Sequence, residues 1–276
     1  YYNICIVKLK GGIHMKNSHE VTYKIHGHDM QFVQVELDPK ETVVAEAGAM
    51  MMMDDGIELE TIFGDGSQQS GGLFGKLVGA GKRLVTGESL FMTSFTNRSS
   101  SLKTVSFSAP YPGTIIPLDL HEYGNKIICQ KDSFLAAAKG TSVGIEFRKK
   151  LSTGLFGGEG FIMQKLEGDG LAFLHAGGSI YQKTLQPGEK IKIDTGCIVG
   201  FTGDVNYEIE YVGNVKTALF GGEGLFFATL QGPGTIWVQS LTLARLASRI
   251  GQYLPNSSKE EGSILGGLGN LLDGND

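Results

Sequence analysis

Metal chemistry needs several His, Cys, Asp or Glu side chains converging on one ion. The single His-x-His run is His26-Gly27-His28. A barrel-type metal centre on that pair wants a Glu four or five residues after the second His, where this chain has Phe32 and Val33. His121 and His175 stand alone. No metal and no cofactor is expected. A phosphate loop needs Gly, four residues, then Gly-Lys-Ser/Thr. Gly75 and Gly81-Lys82-Arg83 have five residues between them and end in Arg. No Gly-x-Gly-x-x-Gly opens a βαβ unit, and no Gly-x-Ser-x-Gly elbow offers a nucleophile. No enzyme is expected. Cys5, Cys129 and Cys197 are far apart, without a Cys-x-x-Cys pair. Such an odd, sparse set fits a reducing compartment. Cys129 and Cys197 are both expected as small buried strand residues.

Any site must be positioned by elements that repeat. Leu155-Phe156-Gly157-Gly158-Glu159-Gly160 recurs as Leu219-Phe220-Gly221-Gly222-Glu223-Gly224, at an offset of 64 residues. Leu166, Gly168 and Gly170 recur at that offset as Leu230, Gly232 and Gly234. Thr86-Gly87-Glu88-Ser89-Leu90-Phe91 is a weaker third copy. Upstream, Leu37-Asp38-Pro39-Lys40-Glu41 matches Leu185-Gln186-Pro187-Gly188-Glu189. Ala47–Met50, Lys131–Phe134 and Thr195–Ile198 occupy equivalent places. Three units follow: 20–108, 109–175 and 176–240. The first carries an insertion over 64–85, in which Lys76, Lys82 and Arg83 make a local positive charge and a candidate interaction site. Glu88, Glu159 and Glu223 are candidate turn or interface residues.

The units read as β-structure. Phe32–Leu37, Lys190–Asp194 and Tyr207–Tyr211 alternate apolar and polar residues. Pro-Gly and Gly-Asp steps fall at turn spacing. Glycine supplies 41 of 276 residues, as many short strands with tight turns require. Met50–Met53 is expected as a buried strand or a subunit seam, and Trp237 as core. One amphipathic helix is predicted over 241–254, stopped by Pro255, ahead of a flexible tail over 255–276. Residues 1–19 form an N-terminal extension. Lys10-Gly11-Gly12 back-translates to a ribosome-binding sequence, and Ile13-His14 spaces it from Met15. Residues 1–14 are therefore expected to be a translated leader, with a short strand over Ile4–Val7 as the alternative.

Net charge is −5, hydrophobic residues are 41% and charged residues 19%. That balance excludes a disordered chain and argues against a non-specific nucleic-acid or anionic-membrane binder. No apolar run reaches the roughly 20 residues of a spanning helix, so a cytoplasmic protein is expected.

Glu46-Ala47-Gly48-Ala49-Met50, Arg83–Phe91, Gln130–Ala136, the two Leu-Phe-Gly-Gly-Glu-Gly segments and Gly232-Pro233-Gly234 occur in this order. With them the chain resembles, over about residues 21–250, the altered-inheritance-of-mitochondria twenty-four family. The resemblance implies an all-β fold of three tandem small β-sandwich or double-stranded β-helix repeats, like the tryptophan RNA-binding attenuation protein. It implies a pseudo-threefold arrangement and assembly as a homotrimer, to which the short C-terminal helix read from spacing is added. The family's mitochondrial branch is linked to inner-membrane organisation and respiratory complexes. No catalytic residues come with the family, so none are carried over. The expected function is a non-enzymatic oligomeric scaffold or binding protein, at a membrane surface or a protein complex. The alternative is a small-ligand or RNA-binding regulator that uses clefts between units.

Overall fold

Residues 17–63, 91–149, 161–211, 226–251 and 253 are described by a computed structural model. The chain divides into two compact units, Tyr1–Leu243 and Ala244–Asp276. In the first, chain order gives β1 (Thr22–His26), β2 (Phe32–Leu37), β3 (Thr42–Glu46), β4 (Met50–Met53), β5 (Ile57–Phe63), β6 (Phe91–Asn97) and β7 (Lys103–Ser108). Next come β8 (Gly113–Asp119), β9 (Lys126–Gln130), β10 (Phe134–Ala138), β11 (Ser142–Lys149), β12 (Phe161–Glu167) and β13 (Leu171–Gly177). The last group is β14 (Ile180–Leu185), β15 (Lys190–Asp194), β16 (Ile198–Thr202), β17 (Asn206–Tyr211), β18 (Phe226–Gln231) and β19 (Gly234–Gln239). The chain is mostly β, as expected.

The strands form four antiparallel sheets: β1-β2-β7-β4, β5-β6-β3-β10-β13-β8, β11-β12-β9-β16-β19-β14 and β15-β18-β17. Three apolar clusters lie between successive sheets. Val33, Val35 and Phe107 of the first sheet meet Val43, Ala136 and Phe173 of the second. The opposite face of the second, with Val44, Ala137 and Leu174, meets Ile127, Cys129 and Trp237 of the third. The third turns Ile128 and Phe201 toward Ile193, Ala228 and Leu230 of the fourth. Each six-stranded sheet therefore has apolar cores on both faces. This explains the unbroken apolar runs Phe134–Ala138 and Ile198–Thr202, buried at every residue, against the alternation in β2 and β18.

The turns keep the likeness seen in the sequence. In Asp38–Glu41 the Asp38 amide donates to Glu41 Oε2 at 2.7 Å, and Lys40 has φ 75°. In Gln186–Glu189 the Gln186 amide donates to Glu189 Oε2 at 2.9 Å, and Gly188 has φ 81°. One turn geometry thus takes Lys in one place and Gly in the other. Short 3-10 turns, Lys131–Ser133 and Thr195–Cys197, lead into β10 and β16.

Two expectations need correction. Cys129 is buried in β9, but Cys197 lies in the 3-10 turn and is half-buried, because that turn, not a strand, leads into β16. Met50–Met53 does form a strand, yet all four side chains are exposed and no described strand pairs with β4 beyond β7, which overturns the buried-strand alternative and leaves that of a subunit seam. Trp237 is core, 1% exposed.

Residues 17–19, counted above with the extension, are fastened. The Asn17 and Ser18 amides donate to the Asp169 carboxylate at 2.7 and 3.0 Å, and the Thr42 amide donates to His19 Nδ1 at 2.9 Å. Ser18 lies so close that a Cβ on Gly140 or Gly170 would come within 2.7 Å of it.

The helix of the C-terminal part, α1 (Leu243–Gly251), is shorter than the predicted 241–254. Leu243, Leu246, Ala247 and Ile250 fall on one face by helical spacing, and the Arg249 guanidinium lies 5.3 Å from the Tyr253 ring centroid. No described helix is long and apolar enough to cross a membrane.

Candidate functional site at the sheet edges and seams

Each six-stranded sheet is made continuous by one pairing, or join, between its two three-stranded halves. In the first, β3 pairs with β10 as Ala45↔Ala136, Val44↔Ala137 and Val43↔Ala138. In the second, β9 pairs with β16 as Cys129↔Gly200, Ile128↔Phe201 and Ile127↔Thr202. Small residues meet at both. A Cβ on Gly200 would sit 2.8 Å from the Ile128 carbonyl oxygen. Beyond each paired stretch a backbone bond continues the join: the Lys139 amide donates to the Thr42 carbonyl at 3.0 Å, and the Gly203 amide to the Lys126 carbonyl at 3.1 Å.

An acid-base group, with Tyr111 and His175 buried and Glu46 half-buried, closes the end of the first join. Glu46 ends β3, and burial, then the Asp132 carboxylate, raises its carboxyl to about 7 against the pull of Lys131. Burial pushes the Tyr111 phenol up to about 12, helped by Asp132 and Glu46. Burial lowers His175 to about 4, opposed by its bond to the Tyr111 backbone. The Tyr111 and His175 rings meet edge to face, centroids 4.6 Å apart. Gly113 makes room for them, since a Cβ there would lie 2.5 Å from His175 Nε2 and 2.1 Å from the Ala176 carbonyl oxygen. Burial thus favours the uncharged form of all three groups. Among the described residues no three His, Cys, Asp or Glu converge as metal ligands. His26 is held in its own hairpin, 3.1 Å from Gln34 Oε1 and stacked on Phe32, while His28 is exposed.

The second join ends in amides. Gln239 Nε2 donates to the Gly196 carbonyl, and the Gly177 amide donates to Gln239 Oε1, both at 2.8 Å.

Two strands present edges of opposite character. β4 carries four thioethers, each more than a third exposed, and runs into exposed Asp54 and Asp55. β15 presents Lys190 and Lys192 outward with Ile193 buried, and Lys192 Nζ lies 2.9 Å from Glu210 Oε2. Among the described strands β4 has only β7 beside it, and β15 only β18.

The candidates named from sequence, Lys76, Lys82, Arg83, Glu88, Glu159 and Glu223, lie outside the described residues, as do 64–85, 1–16 and 255–276. Sequence reasoning set His175 aside as a lone histidine, quoted Glu46 only as part of a motif, and did not single out Tyr111. A lone Glu closing the apolar run Thr42–Ala45 was the available signal.

The family model for mitochondrial biogenesis AIM24 matches residues 23–241. The chain belongs to the AIM24 family. An uncharacterised protein of Streptococcus pyogenes serotype M6, M6_Spy0233, is 33% identical over 235 residues, covering 83% of this chain and 90% of that one. The crystal structure of protein SPYM3_0169 from Streptococcus pyogenes superposes with a TM-score of 0.68 at 26% identity, over 85% of this chain and all of that one. The AIM24 match spans all four sheets, from β1 to β19.

Proposed function

We propose that this AIM24 member is a non-enzymatic scaffold built from three like β-modules, 20–108, 109–175 and 176–240, and that it works as a homotrimer. One observation supports the modular part of this reading: the same four pairings recur in each module. First strand meets last in β2·β7, β8·β13 and β14·β19. Third meets last in β4·β7, β10·β13 and β16·β19. Second and fourth flank the fifth in β3·β6·β5, β9·β12·β11 and β15·β18·β17. A module with one sheet half on each side cannot cover its own faces, and stacking supplies the cover. Such an arrangement favours the short double-stranded β-helix reading of each module.

A cytoplasmic location is part of this proposal, and the sparse set of unbridged thiols, Cys129 and Cys197 among the described residues, supports it. Its partner is a protein complex or a membrane surface. Deleting 64–85, with Lys76, Lys82 and Arg83, is expected to abolish retention on anionic vesicles or in pull-downs; unchanged retention removes that contact. Light scattering of the purified chain tests the assembly. Three chain masses are expected, and a particle of one chain mass refutes the trimer.

A further inference from the structure

Strands β5, β11 and β17 are edges of their sheets, as are β8 and β14, and β1, which covers β2, the counterpart of β8 and β14, is an edge as well. β4 and β15 are edges of another kind. The counterparts of β4, namely β10 and β16, each have a neighbour on both sides, as do β3 and β9, the counterparts of β15. Among the described strands there are therefore two joins of the type second strand to third strand. These leave one unmatched third strand, β4, and one unmatched second strand, β15.

The register of those joins is fixed by a shared irregularity. Against the last strand of its own module, each third strand shifts by one residue: between Met50 and Met52, Phe134 and Ala136, and Ile198 and Gly200. Met52, Ala136 and Gly200 are therefore equivalent. The following turns agree, with Ile57 donating to Asp54, Thr141 to Ala138 and Val205 to Thr202 through backbone amides. In both joins the residue after the shift faces the penultimate residue of the second strand, Ala136↔Ala45 and Gly200↔Cys129. In β15 that residue is Ile193.

We propose that β4 of one copy pairs antiparallel with β15 of the next, in the register Met52↔Ile193, Met53↔Lys192 and Asp54↔Ile191. This rests on the assembly proposed above and gives it an interface. The backbone bond that extends both internal joins maps onto the Asp55 amide and the Lys190 carbonyl, which sets an aspartate opposite a lysine. The exposed thioethers of β4 gain Ile193 and the Lys192 stem as cover. The contact is heterologous, head to tail, so repetition closes a ring or runs on as a filament. Pairing joins the first sheet of one copy to the fourth of its neighbour as one seven-stranded sheet.

Cross-linking between two differently marked chains tests the register. Cys5, Cys129 and Cys197 are first replaced by Ser, Ala and Ser. A chain with Met52→Cys is then mixed with one carrying Ile193→Cys under mild oxidation. A covalent heterodimer is expected. Met52→Cys mixed with Lys192→Cys is expected to give none, because a slip of one residue turns side chains to opposite faces. Preference for the slipped pair, or neither product while scattering still reports three chains, overturns the register and leaves the trimer standing. A single-chain mass overturns the assembly itself. Amide hydrogen exchange on the unmodified chain guards against misfolded variants. Exchange over 50–55 and 190–194 is expected to slow at least tenfold as concentration rises, and concentration-independent exchange there counts against the pairing.

Discussion

The β3–β10 and β9–β16 joins share their backbone and differ in their chemistry. Both run antiparallel, both follow a one-residue shift, and both bring small residues together. At the end of the first stand Glu46 and His175. Gln130 and Gln239 hold the matching places in the second, one ending β9 and the other following Val238. The geometry of a join is thus set by main-chain bonds and by the volume at the crossing. The polar end can be titratable or neutral without moving a strand.

The largest expected effect tests whether the two joins are equal partners in stability. Phe173 and Trp237 face Ala136 and Gly200 across equivalent pairs, and each is at most 1% exposed. Truncation of either to Ala should cost about 3–5 kcal/mol in urea unfolding. A loss from only one of them would break the equivalence. Exchanging the small residues comes next. Gly200→Ala should destabilise by about 1–3 kcal/mol, because the new methyl meets the Ile128 carbonyl. Ala136→Gly should cost only about 1 kcal/mol.

The titratable end sharpens the contrast. Glu46 has a folded value near 7 against an ordinary 4.5. Its burial cost is absent below pH 4.5, grows as pH rises toward 7 and is complete above it. Glu46→Gln should therefore raise stability by about 2 kcal/mol at pH 8 and leave it unchanged at pH 4. Gln130→Glu should install the same alkaline loss in the second join. His175 has the opposite sign. Its folded value near 4 lies below the ordinary 6.5, so the unfolded chain gains the proton first and stability falls between pH 6.5 and 4. His175→Gln, which copies Gln239, should flatten that acid limb. Thermal melts from pH 4 to 8 check all three. Exposed ion pairs should matter least: Lys192→Ala is expected to change unfolding free energy by less than about 0.5 kcal/mol, although Glu210 lies 2.9 Å away.

Local chemistry was legible before the fold was seen. The turns at Asp38–Glu41 and Gln186–Glu189 were matched by residue type, and they share their carboxylate-to-amide bond. Alternation marked β2, β15 and β17 as strands because each faces a core on one side only. What could not be read depends on distant partners. Glu46 becomes a weaker acid through burial first and then through the Asp132 carboxylate, a residue of the next module. The exposure of Met50–Met53 follows from which strand stands beside β4, and composition holds no record of that. A four-methionine run reads as core until the sheet order is known. The helix was visible from its three-to-four spacing, and its end was set too late because Pro255 marks where a helix must have stopped, not where it does.

Ser18 sits against Gly140 and Gly170, while Asp169 holds its amide from 151 residues further along the chain. That contact is a clasp. Tension applied at the amino end would load the Gly168–Gly170 hairpin bend before it peeled β1 away, so mechanical opening would begin by unhooking the middle of the chain.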